Sequence, residues 1–276
     1  MSYFGATRYL DTLLSRLAFE TAVIVRVEST QGSVPREAGT WMAVFAEGLA
    51  GTIGGGHLEH EAIAQARSML RDPTGNSEAL TRVPLGPALG QCCGGVVHLK
   101  FERVDGGMAD VLTQRLRPAL APLAVFGGGH VGHALVQVLA RLPFALTWVD
   151  SRDGVFPEPA PERVNCEHSD PVHAAVGDLA PGARVLIMSF SHAEDLDILA
   201  ACLKRQRERS DLPYIGLIGS RTKWATFRHR LEARGFTAAE LSHVTSPIGI
   251  PGIHGKEPEV IAVAVAAQLL QTLGGA

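Results

Sequence analysis

Cysteine is scarce in this chain. Cys92, Cys93, Cys166 and Cys202 are the four thiols in 276 residues, and no two are spaced as C-x-x-C. A disulfide scaffold, a thioredoxin-type redox pair and a four-cysteine structural zinc site are thereby excluded. A basic surplus is also missing. The formal net charge is −3, which offers no overall attraction to nucleic acid or to an anionic membrane, so neither is expected as a partner. No apolar run approaches the roughly 20 residues of a membrane span. The opening MSYFGATRYLDTLLSRL has no basic segment followed by an apolar core, so it does not read as a secretory signal. A cytoplasmic location is the resulting expectation. No serine–histidine–aspartate arrangement, nucleophile elbow, internal repeat or low-complexity tract is visible.

What is present is an ordinary globular composition, 46% hydrophobic and 19% charged, in a chain long enough for two domains. The expected class is α/β: an N-terminal α+β domain over residues 1–118, then a C-terminal Rossmann-like domain over 122–276, divided near RPALAP. In the first part, Tyr9, Leu10, Leu13, Leu14 and Leu17 lie close to one helical stripe. Strands are expected at 22–28, 41–46, 81–85 and 95–103, with helices from Glu59 to Asp72-Pro73 and over 108–120. From 123 onward, strands at 123–126, 145–150, 184–190 and 213–219 alternate with helices at 130–142, 194–207 and 221–234. That rhythm is the signature of a doubly wound parallel sheet. The closing helix, 257–273, is so rich in Ala and Val that both its faces are expected to be buried.

The stretch FGGGHVGH carries Gly127, Gly129 and Gly132 in G-x-G-x-x-G order, directly after a strand and opening a helix. Gly127 permits a sharp turn, Gly129 admits a phosphate group to the backbone, and Gly132 lets helix and strand pack closely. The first N–H groups of the helix then face the anion. Asp150 ends the next strand, where a carboxylate accepts hydrogen bonds from a ribose. A nucleotide or other phosphorylated ligand is expected here, the alternative being a turn with only a structural role. His130 within the turn could aid an anion, but the pattern simply allows a non-glycine there, and that plainer reading is favoured. A second anion candidate is GSRTKW, where Ser220, Arg221 and Lys223 open a helix, the alternative being a solvated basic face. In SFSHAEDLDIL, Ser191 and Glu194 read as a capping box, and His192 and Asp195 stand where such domains place ligands.

The first part holds three further glycine-laden loops. GTIGGG brings Gly54, Gly55 and Gly56 in front of a helix as a nest of backbone donors, and Arg36 in SVPREAGT is placed to pair with the same anion. His57 and Glu61 are one turn apart and suit a metal, although an exposed helix start explains them as well. In GQCCGG, neighbouring Cys92 and Cys93 point opposite ways in extended chain. One of them beside Gln91 is then a candidate reactive thiol, against the commoner fate of an inert buried cysteine.

Taken in order, GSVPREAGTWM, GTIGGGHLEHEA, GQCCGG, FGGGHVGHAL, SHAEDLDIL, YIGLIGSRTKW and SPIGIPGIHGKEPEVIAVAVAAQLL resemble the XdhC/CoxI family, accessory proteins of xanthine dehydrogenase. The resemblance runs from about residue 20 to 273. It implies a chaperone without turnover of its own. Such a protein binds the molybdenum cofactor (molybdopterin), holds it while a cysteine desulfurase supplies sulfide, and delivers it to the molybdenum-binding subunit of xanthine dehydrogenase. Family members are dimers, so a homodimer is implied. Carried onto this chain, the contacts would come from glycines 54 to 56, Gln91, Cys92, Cys93 and the turn 127 to 132, with Cys92 or Cys93 approaching the metal. The expectation that follows is that the two glycine-lined helix entrances and a thiol grip the cofactor loosely enough to release it. The competing reading is an NAD(P)-dependent oxidoreductase built on Gly127–Gly132 and Asp150. A third is a scaffold between partner proteins.

Overall fold

The structure is a computed structural model that describes residues 3–34, 36–72, 74–85 and 94–273. The chain divides into two compact units, Met1–Pro118 and Ala119–Ala276.

Unit 1 contains α1 (Tyr3–Leu17), β1 (Ala22–Gln31), β2 (Trp41–Val44), β3 (Leu49–Gly51), α2 (Gly56–Arg71), β4 (Glu78–Pro84), β5 (Val96–Val104) and α3 (Ala109–Leu116). Its sheet is antiparallel, in the order β3-β2-β1-β5-β4. β1 shows why the unit has three layers. Val23, Val25 and Val27 point to one face and pack with Leu58, Ala62 and Ala66 of α2. Ala22 and Ile24 point to the other and pack with Leu10, Leu13 and Leu17 of α1 and Leu112 and Leu116 of α3. That alternation is the two-residue period of a strand buried on both sides.

Three local differences from the sequence expectation have simple causes. β3 is only three residues long and carries no pattern of its own; it forms because Gly48, at φ 88°, turns the chain back onto β2. α3 stops at Leu116, short of 120, because Arg117 precedes Pro118 and takes an extended conformation (φ −61°, ψ 125°). α2 starts at Gly56, before Glu59, on three consecutive left-handed glycines.

Unit 2 contains β6 (Ala121–Phe126), α4 (His130–Leu139), β7 (Phe144–Asp150), β8 (Val164–His168), β9 (Arg184–Ile187), α5 (His192–Arg209), β10 (Tyr214–Leu217), α6 (Arg221–Ala233), α7 (Ala238–Leu241), β11 (Val244–Thr245) and α8 (Pro258–Gln271). All six strands are parallel, in the order β11-β10-β9-β6-β7-β8. Numbered within the unit, this is the 3-2-1-4-5-6 arrangement of dinucleotide-binding folds, read from the other edge. Leu123 and Val125 of β6 face α4 and α8, while Ala124 and Phe126 face α5 and α6. β8 and β11 escape the sequence pattern because one is a largely polar edge strand and the other has two residues.

α8 departs from its expected burial. Ala262, Ala264, Val265, Ala266 and Leu269 are buried, but Val263 is 54% exposed and Leu270 is 39% exposed. One edge of this helix therefore faces outward. None of the described helices is long and apolar enough to cross a membrane.

Arg205 of α5 is a buried charge at the centre of a clamp. Its guanidinium donates to both oxygens of Asp211 (3.0 and 2.6 Å) and to the carbonyls of Val176 (2.7 Å) and Leu179 (2.8 Å). Removing one partner of a buried pair leaves the other uncompensated, at a cost of about 3–5 kcal/mol. Arg205→Ala is therefore expected to lower the stability of unit 2 by about that much, read as a fall in the urea midpoint. A loss under about 1 kcal/mol would show that the clamp is solvated.

Candidate functional site

The carboxyl ends of β6, β7, β9 and β10 lie along one edge of the parallel sheet, and strand order reverses between β6 and β9. Ligands of doubly wound domains bind in the crevice beyond that point. The glycine turn sits there. Gly127 has φ 122°, and a Cβ on it would fall 2.1 Å from the carbonyl oxygen of Met188. A Cβ on Gly132 would fall 2.1 Å from the carbonyl oxygen of Gly127. These two glycines are required by the packing of the turn itself. Gly129 differs: it is exposed, and a Cβ there would meet nothing within 4 Å. It is the N-cap of α4, with no side chain satisfying the first N–H groups of that helix. His130 beside it is exposed. Among the described residues no side chain caps the first N–H groups of α4, so its entrance offers donors and open space.

Asp150 is not free. It is 2% exposed, and its Oδ2 accepts from Gly128 N (2.6 Å) and Arg152 Nη2 (2.9 Å). Its Oδ1 accepts from Arg152 N and Arg152 Nε, both at 2.9 Å. A carboxylate has about four acceptor positions, so none remains for a ribose. Burial pushes the Asp150 carboxyl upward, but the Arg152 guanidinium and the N–H groups of Gly128 and Arg152 together hold it below its ordinary value. Val155 closes over the same turn, so near that a Cβ on Gly128 would fall 1.8 Å from its Cγ1. The Arg152 guanidinium lies 4.7 Å from the ring centroid of Phe190, which is 68% exposed in the loop between β9 and α5.

The second helix entrance of unit 2 is closed by its own lysine. Lys223 Nζ turns back to donate to Asp195 Oδ2 (2.6 Å) and to Ile218 O (2.9 Å). Asp195 Oδ1 accepts from Ser189 N and Ser189 Oγ, both at 2.8 Å. Asp195 and Lys223 are therefore committed to tying α5 to α6. Ser220 caps α6 by accepting from Lys223 N (3.2 Å), and Arg221 is exposed at the first helical position. His192 is exposed, edge-on to Phe227 at 6.1 Å. The expected capping box at Ser191 is half made. Ser191 Oγ accepts from Glu194 N (3.2 Å), but Glu194 Oε1 accepts from Ser151 Oγ (2.6 Å) instead of closing the box. Glu194 Oε2 is buried without a partner among the described residues.

In unit 1 the nest is already filled. Glu59 Oε2 accepts from Ile53 N (2.9 Å), Gly55 N (3.0 Å) and the Thr52 hydroxyl, and Gly54 N donates to Thr52 Oγ1 (3.1 Å). Gly54, Gly55 and Gly56 all have positive φ, as a backbone nest requires, but the anion in it belongs to the chain. His57 Nε2 and Glu61 Oε1 pair with each other at 3.0 Å. Among the described residues no three His, Cys, Asp or Glu side chains are grouped to hold a metal. Arg36 lies in the β1–β2 loop and makes no ion pair with a described residue. Gln91, Cys92 and Cys93 lie outside the described residues.

The pattern in the sequence marks the glycines but not their plugs. Arg152 and Ser151 escaped notice because they sit in a loop without periodicity; Phe190 fell inside the strand expected over 184–190, which ends at Ile187. A signal for Arg152 was available: a basic residue two positions after a strand-ending acid is in reach of it.

Models of known families match both units. One described as the XdhC Rossmann domain matches residues 123–269, and one described as the XdhC and CoxI family matches residues 16–82. YqeB, an uncharacterised protein of Escherichia coli K12, is 29% identical over 259 residues, covering 92% of this chain and 44% of that protein. The chain thus spans less than half the length of that curated relative. The crystal structure of a Bacillus halodurans protein described as a xanthine dehydrogenase is similar with a TM-score of 0.76, over 96% of this chain and 95% of that one, at 20% identity. That likeness is one of fold.

Two predictions follow from the turn. Gly127→Ala is expected to cost about 3 kcal/mol or more through a left-handed backbone and a clash with backbone, whereas Gly129→Ala is expected to cost about 1 kcal/mol or less. Equal losses in urea unfolding would contradict the division of labour. Because the folded pKa of Asp150 is depressed, its contribution is present above the unfolded value of about 3.9 and disappears as pH falls through the lower folded value. Unit 2 is expected to lose stability below about pH 4, and Asp150→Asn should flatten that acid limb in pH-dependent melts.

Proposed function

The chain belongs to the XdhC and CoxI family, and from that membership we propose that it is an accessory protein in xanthine dehydrogenase maturation. In this reading it binds the molybdenum cofactor and passes it on, with no turnover of its own. The observation that carries the reading is that family models match segments of both units in their expected order. A glycine turn alone would not distinguish this from many nucleotide-binding proteins.

The residues fit the phosphate end of such a group at one place. The exposed, uncapped start of α4 at Gly129 and His130 offers backbone N–H donors in open space. It is not a deep charged cage, which suits a ligand that must leave. The nest at Gly54–Gly56 would receive a phosphate only if Glu59 gave up its bonds there. Gln91, Cys92 and Cys93 enter through the family resemblance. The other thiols are poor candidates: burial pushes Cys202 up to about 12 and raises Cys166 as well, so neither is readily a thiolate. When bound, the cofactor supplies a metal whose oxo ligand is exchanged for sulfide. The chain's part is to hold it. A cysteine desulfurase and the molybdenum-binding subunit of xanthine dehydrogenase are the partners in this reading, with the chain acting as a cytoplasmic homodimer.

The nicotinamide-dependent alternative needs a carboxylate at the end of β7 that accepts ribose hydroxyls. Asp150 occupies that position with every acceptor taken, which weighs against it.

Anaerobic purification followed by mass spectrometry and molybdenum analysis tests the reading. A phosphorylated pterin and molybdenum are expected in the wild-type chain, with molybdenum lost from Cys92→Ala or Cys93→Ala. Full retention in both variants would remove the thiols from the site. Saturable NADH binding in a pterin-free chain would favour the oxidoreductase.

A further inference from the structure

Unit 1 contains a cavity of about 420 Å³ that the reading above does not use. It opens between the β1–β2 loop and the end of α3. Arg26, Glu37, Gly39, Trp41, Arg115 and Arg117 are among its lining residues. We propose that this cavity is a binding site for a small phosphorylated molecule, recognised through a phosphate ester or diphosphate group.

Three guanidinium groups line the cavity, and Glu37 is the only carboxylate among the lining residues. Two of the arginines are already paired with carboxylates. Arg115 donates from Nη1 and Nη2 to Glu102 (3.1 and 2.6 Å), and Arg26 donates from Nη2 to Glu28. Neither Glu28 nor Glu102 lines the cavity. A guanidinium carries five N–H donors in a fixed fork, so each pair leaves donors over. The side chains of Arg26 and Arg115 remain 33% and 31% exposed. Arg117 has no acidic partner among the described residues. The end of α3 carries about half a negative charge, which accounts for one of these guanidinium groups at most.

Geometry then selects the ligand. Arginine held by a carboxylate is pre-oriented, so less side-chain freedom is lost when it meets an anion. Planar forks match tetrahedral phosphate oxygens in pairs. The volume is that of a small-molecule pocket. Trp41 and Leu116, each mostly buried, give it an apolar floor for the organic part of the ligand. The proposal goes beyond the accessory role and does not depend on it, because the donors are read from unit 1 alone.

Calorimetric titration of the full, ligand-free chain with inorganic pyrophosphate at low salt tests it. Saturable one-to-one binding is expected, weakened by on the order of tenfold in Arg117→Gln, the scale of one charge-assisted contact. Arg117→Lys should retain part of the affinity, and Arg26→Gln should weaken binding as well. Circular dichroism and melting confirm folding; since Arg117 is exposed and has no acidic partner among the described residues, its variants decide the matter if Arg26→Gln misfolds. Absence of saturable binding in the wild type overturns the proposal. So does binding that survives Arg117→Gln unchanged but is abolished by Gly129→Asp, which would place the anion at α4. Molybdenum content of the same variants separates two sources of the phosphate. Unchanged molybdenum with lost pyrophosphate binding identifies a separate organic phosphate, and joint loss identifies the tail of the proposed cofactor. The pyrophosphate result stands whichever way the maturation role is decided.

Discussion

Backbone N–H groups gathered by glycine need an anion, and in this protein two side-chain carboxylates meet most of that need. Glu59 fills the nest ahead of α2, and Asp150 takes the N–H of Gly128 in the turn ahead of α4. Both loops owe their shape to residues without a Cβ. An unpaired buried donor costs about 1–3 kcal/mol, and that cost applies at buried Ile53 and in part at Gly55 and Gly128, whereas Gly54 and Gly56 are exposed to water. The acids come from a few residues away in one unit and from the next strand in the other. Arg152 then balances Asp150 with three further bonds.

This arrangement constrains what either loop does for a ligand. An incoming phosphate at Gly54–Gly56 competes with Glu59 for the same donors and meets its charge. At the second loop the competition is narrower. Asp150 engages Gly128 but not Gly129, so the first turn of α4 keeps open donors while the turn beneath it is locked. The same logic holds at α6, where Lys223 folds inward onto Asp195 instead of waiting for a ligand. Charge near these helix starts is mostly spent on internal order. Open donors survive at the start of α4 and in the arginine-lined cavity of unit 1.

The outline of the fold was legible because it rests on periodicity. Leu10, Leu13 and Leu17 recur at helical spacing, and the buried runs of β6, β7 and β9 alternate with amphipathic segments. The turn at 127–132 was legible too, since steric necessity restricts Gly127 and Gly132 to glycine. Partners were not legible. Asp150 at a strand end has the same one-letter signature whether it faces a ribose or the guanidinium of Arg152. Glu59 has the same signature as any acid in a first helical turn. The strands β3, β8 and β11 lie at or beside the sheet edges, where too few residues are buried for a pattern to form. Thus the scaffold was readable where burial dictates residue type, and the site was unreadable where a charge chooses among partners brought together only by folding.

A protein that carries a ligand must bind it without outcompeting its destination. Affinity assembled from many free charges in a closed cage works against release. In the proposed carrier role, a phosphate could enter the nest of unit 1 only by displacing Glu59 from the N–H groups of Ile53 and Gly55. The same carboxylate would reclaim those donors on release, so such an exchange would lower net affinity by the strength of the internal bonds. Asp150 cannot take part in the same way, because it is buried and also neutralises Arg152. The two plugs are therefore unequal: the one in unit 1 is only partly buried, while the one in unit 2 is buried and holds the turn in shape.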